Sequence, residues 1–79
     1  MSQYDAVWNQ IKTTGSAEVT VSKEFARTLE NGVKRVKTAE NVARRMAGLV
    51  GWSKLVVTRT SISSTTVKIR FELLYLTAL

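Results

Sequence analysis

The stretch from Ser22 to Val50, SKEFARTLENGVKRVKTAENVARRMAGLV, decides the fold. Phe25, Leu29, Val33, Val36, Ala39, Ala43, Met46 and Val50 recur along it at steps of three and four, one apolar stripe of helical period. Alone, the stripe fits one long helix. Two features argue for a break. Asn31-Gly32 is a turn-forming pair, and Thr38 ahead of Ala39-Glu40 reads as a second N-cap with an acid in its first turn. The sequence therefore predicts two helices, roughly Ser22 to Asn31 and Thr38 to Ala47, with Val33 to Lys37 between them. A single long helix is the alternative.

Upstream, Tyr4, Val7, Trp8 and Ile11 share one helical face, and Ser2 with Asp5 resembles a capping box, so a first helix is expected from about Gln3 to Thr13. Gly15 ends it. Ala17, Val19 and Val21 then alternate with polar residues, the period of a short half-buried strand. Downstream, Gly48 and Gly51 close the helical region, and Leu55 to Ile62 is rich in β-branched residues. Ser63-Ser64-Thr65 forms a polar loop. In the last strand Val67, Ile69, Phe71 and Leu73 alternate with Lys68, Arg70 and Glu72. Past Glu72 both faces turn apolar, which makes Leu73, Leu74, Tyr75, Leu76 and Leu79 the expected contact between subunits of a homodimer. The whole is one basic α+β domain over residues 1–79, in the order α-β-α-α-β-β, a small three-stranded antiparallel sheet packed with helices.

Composition narrows the chemistry. The 79 residues are 44% hydrophobic and 23% charged, near globular averages, and include no histidine and no cysteine. A disulfide framework, a zinc site of the usual ligands and imidazole or thiol catalysis are thereby excluded. The six acids, Asp5, Glu18, Glu24, Glu30, Glu40 and Glu72, form no catalytic or calcium-binding constellation in the sequence. Neither an enzyme nor a cofactor is expected. The absence of thiols and of a charged-then-apolar opening segment suggests an intracellular protein, and no apolar run reaches membrane-spanning length.

Charge points to the partner. The formal net charge is +6. Its positive part lies in the helical middle, where seven bases face Glu24, Glu30 and Glu40, and in the hairpin, where four bases face Glu72. On a helical wheel Lys23, Arg27, Lys34, Lys37, Arg44 and Arg45 fall opposite the apolar stripe, with Asn41 among them. Such one-sided charge is what a phosphate-backbone binder needs. The candidate nucleic-acid residues are Lys34, Arg35, Lys37, Asn41, Arg44 and Arg45 in the middle and Lys54, Arg59, Lys68 and Arg70 in the hairpin.

Helix, strand, helix, helix, strand, loop, strand resembles the topology of winged-helix domains, though no specific motif accompanies the likeness. The resemblance implies a recognition helix from Thr38 to Met46, with Asn41, Arg44 and Arg45 reaching bases and phosphates, and a wing from Ser61 to Thr66 touching backbone. Gly48-Leu-Val-Gly51 fits the backbone-clamping loop of KH domains, but a helix end followed by a turn explains both glycines. Among the aromatics Trp52 is the one candidate to stack on a base, with core packing the favoured role for it too. The expectation is a small DNA-binding protein of the kind that serves as a transcriptional regulator, with DNA favoured over RNA. The competing reading is an interaction module, a small inhibitor or adaptor of the kind a virus encodes, whose basic face docks on an acidic protein.

Overall fold

The computed structural model describes residues 3–49 and 54–74. Five elements follow in the order α1 (Gln3–Thr14), β1 (Ser16–Ser22), α2 (Lys23–Met46), β2 (Lys54–Ser61) and β3 (Thr66–Leu74). The class is α+β, with helices packed on a three-stranded antiparallel sheet of strand order β1-β3-β2. Ser2, Trp52 and the residues from Tyr75 to Leu79, to which the capping box, the stacking aromatic and most of the subunit contact were assigned, lie outside the described residues.

The middle of the chain corrects the expectation of two helices, since α2 runs unbroken for 24 residues. Its start is as read: the Ser22 side chain accepts a hydrogen bond from the Phe25 N–H at 3.2 Å. Gly32 is no break. A Cβ there would come within 2.6 Å of the Tyr4 ring, so the position is a seat where α1 packs against the bare backbone of α2. Thr38 sits inside the helix as an exposed residue. Unwinding Val33 to Lys37 would withdraw buried Val33 and half-buried Val36 from the core, and that burial outweighs the local preference of Asn-Gly for a turn. The helix stops where the glycine signal placed it. Gly48, at φ +78°, donates its N–H to the Arg45 carbonyl at 3.0 Å, while the Leu49 N–H donates to the Arg44 carbonyl at 2.8 Å.

With α2 continuous there is no helix-turn-helix, and the order becomes α-β-α-β-β. Trp8, Ile11, Leu29, Val33, Ile69 and Phe71 form the centre of the core. Alternation along the strands gives the sheet two different faces. Ala17, Phe71 and Val57 line up across the helix-covered face, as do Val19, Ile69 and Arg59. The opposite face carries Glu18, Arg70 and Thr58 in one row and Thr20, Lys68 and Thr60 in the next. Leu73 belongs to the core, which removes it from the expected subunit contact; Leu74 is exposed. No helix among the described residues is long and apolar enough to cross a membrane.

Candidate nucleic-acid interface

At 100° per residue, Lys23, Arg27, Lys34, Lys37, Asn41, Arg44 and Arg45 fall within an arc of about 100° on α2, and Arg35 falls outside it. The continuity of the helix makes this one strip rather than two. It lies opposite the apolar stripe taken as a whole, but buried Ala26, Glu30 and Val33 are turned toward it, so the strip borders the buried face on one flank. One flank of α2 is taken by α1, through Tyr4 at Gly32 and through Trp8 and Lys12 at Glu40. The cations occupy the other flank, which overlooks β2. Lys37, Asn41 and Arg44 are accordingly half-buried, while Lys34 and Arg45 are exposed.

The acids are largely spent elsewhere. Glu40 accepts from the Trp8 indole N–H and, at 2.8 Å, from the Lys12 ammonium. Burial works to raise its carboxyl, but the hydrogen bonds from Lys12 and Trp8 and the charges of Lys12 and Arg44 outweigh it and hold the group below its usual range. Glu30, almost fully buried, pairs with Arg59 across the space between α2 and β2. On the open face of the sheet Arg70 sits between Glu72 at 3.0 Å and Glu18 at 3.4 Å. Hydrogen bonding and charge from Glu72, then from Glu18, hold that guanidinium even more firmly protonated than usual. By contrast Lys34, Lys37, Arg45 and Lys54 make no ion pair among the described residues.

Lys34, Lys37 and Thr38 from α2 and Lys54 and Leu55 from β2 line a cleft of about 300 Å³. Further along the same seam, Lys23, Ala26, Arg59, Ser61 and Val67 line a second one of about 350 Å³. The Glu30–Arg59 pair separates them.

The structure divides the ten candidates. Lys34, Lys37, Asn41, Arg44, Arg45 and Lys54 gather on or beside the flank, while exposed Arg35 lies outside it. Arg59 faces the same seam but is neutralised by Glu30. Lys68 and Arg70 project from the other side of the sheet, because even-numbered residues of β3 point away from the helices. Lys68 and Arg70 therefore do not join the helix in one basic surface, whereas Lys54 does. The wing is also misplaced. Its Thr65 carbonyl accepts from the Lys23 N–H at 2.9 Å, which ties the loop to the start of α2, some twenty residues and roughly 30 Å from Arg44. Sequence reading missed Glu30 as the partner of Arg59 and Thr38 as part of the cleft; neither pairing has a signal in spacing, since both join elements far apart in the chain.

Comparison with protein-family models, with curated proteins and with solved structures finds no match to this chain.

Proposed function

We propose that the chain binds nucleic acid, duplex DNA in preference, with the exposed flank of α2 set against the phosphate backbone. One observation carries the reading. Four of the six acids are held in ion pairs by Lys12, Arg59 and Arg70, all outside the strip, so Lys34, Lys37 and Arg45 present their charge without a counter-ion among the described residues. Phosphates supply such a counter-ion, and the release of condensed cations from DNA drives the association.

Two further features favour a duplex. The end of α2, from Val42 to Met46, is exposed apart from half-buried Arg44, and an α-helix fits the major groove. Tyr4, Trp8, Phe25 and Phe71 are all built into or against the core, which leaves no stacking platform for single strands among the described residues. In this arrangement Lys34 and Lys37 contact phosphates, while Asn41 and Arg45 stand where a base edge or the opposite strand comes within reach.

Fluorescence anisotropy of a labelled random-sequence duplex tests the reading, with circular dichroism to verify folding. Wild type should bind at low salt, and Lys34→Glu with Arg45→Glu should weaken binding by at least about tenfold through two reversed charges. A wild type that leaves the duplex free, or a folded double variant that binds as well as wild type, overturns it.

A further inference from the structure

The outer edge of β2 is an open strand edge. Among the described residues only β3 pairs with it, and the register between the two is unbroken from Lys54↔Leu74 to Ser61↔Val67, with no bulge and no proline to blunt the edge. In the hairpin, the Ile62 N–H donates to the Thr66 carbonyl at 3.0 Å. The antiparallel alternation then turns the N–H and C=O groups of Thr60, Thr58 and Val56 toward β3, and those of Ser61, Arg59, Val57 and Leu55 outward. No backbone partner takes the outward groups among the described residues. The same four residues belong to the helix-covered side of the sheet, where Leu55 and Val57 are only half-buried. Beside them rises the cationic flank of α2, with the two clefts between.

We propose that this seam is a docking site for an extended acidic peptide segment of another protein, which adds to β2 as a fourth strand. Its main chain takes the outward groups of Leu55, Val57, Arg59 and Ser61. Its alternate side chains face the seam, apolar ones against Leu55 and Val57 and acidic ones toward Lys34, Lys37 and Lys54. Charge selects the occupant. The seam's own acid, Glu30, is consumed by Arg59, so an incoming carboxylate meets uncompensated lysines. A second copy of β2 would bring two such lysine rows together and is disfavoured for that reason. Outward main-chain groups beside an apolar floor of Leu55 and Val57 suit an extended peptide better than a phosphate backbone. The site goes beyond the duplex reading but shares Lys34 and Lys37 with it, so the two ligands exclude one another.

The test uses amide hydrogen exchange of the full chain with a capped peptide of eight residues, the length of β2, in which every second residue, the set that faces the seam, is in turn Val and Glu, with Thr between them. The peptide should slow exchange at Leu55, Val57, Arg59 and Ser61 by at least about tenfold, and Lys34→Glu with Lys54→Glu, both at exposed positions, should abolish the effect. Arg45→Glu should weaken duplex binding and leave peptide protection intact, which separates this proposal from the previous one. Binding without protection of the edge amides overturns it, as does equal protection by a peptide with Lys in place of the acids. Protection of those amides by a single-stranded oligonucleotide and not by the acidic peptide assigns the seam to nucleic acid and also overturns it.

Discussion

Gly32 shows how one residue carries two opposed tendencies. Replacing it by alanine favours an isolated helix by about 1 kcal/mol. In the folded chain the new Cβ meets the Tyr4 ring at 2.6 Å, and over-packing of that kind costs about 1–3 kcal/mol. Gly32→Ala should therefore lower thermal stability in wild type and raise it in a Tyr4→Ala background, a sign change that a double-mutant cycle by thermal unfolding reads directly. Equal stabilisation in both backgrounds would show that the ring does not rest there. Glu40 gives a second residue-scale expectation. Its carboxyl is held below the usual 4.5, so its contribution to stability is present above that value and is lost as pH falls through the folded-state value. Glu40→Gln should unfold at lower temperature than wild type at neutral pH, with the gap closing as pH falls below 4.5 and through the lowered folded-state value. A gap of constant size would mean that the ionised form is not what Lys12 and Trp8 hold.

At the scale of elements, bases of the same sequence character have different tasks. Arg59 partners a carboxylate that is only 7% exposed as a residue, so Arg59→Ala should destabilise the fold by about 1–3 kcal/mol while leaving duplex affinity of the folded protein nearly unchanged. Lys34→Ala should do the reverse, with little change in unfolding temperature and weaker binding. Unfolding curves and anisotropy on the same two variants distinguish these roles. Both residues looked equally basic in the sequence, because pairing between α2 and β2 leaves no trace in local spacing. What was legible was periodic: the stripe Phe25, Leu29, Val33 placed the buried face of α2, alternation placed Val67, Ile69, Phe71 and Leu73 inward, and Gly48 marked the helix end. Asn31-Gly32 and Thr38 form no boundary because the burial of Val33 and the approach of Tyr4 outweigh the local turn signal. The division of the cations between two sides of the sheet follows from strand alternation, which the sequence did contain, but the relation of those sides to the helix flank required the packing.

Across the whole molecule, charge is sorted by pairing. The side of the sheet away from the helices is locally balanced around Arg70, and the seam between α1 and α2 is balanced around Glu40, while the flank over β2 keeps its excess. A net charge of +6 distributed in this way has directional consequences that the same number spread evenly would lack. The most direct measurement is the salt dependence of duplex affinity, plotted as log K against log salt, for wild type, for Lys34→Ala with Lys37→Ala, and for Lys68→Ala with Arg70→Ala. The slope should shrink by about one unit for each phosphate that the helix variant no longer neutralises and stay at the wild-type value in the sheet variant. Equal slopes for wild type and the helix variant, or a shallower slope in the sheet variant alone, would contradict the assignment of the flank of α2 as the nucleic-acid surface.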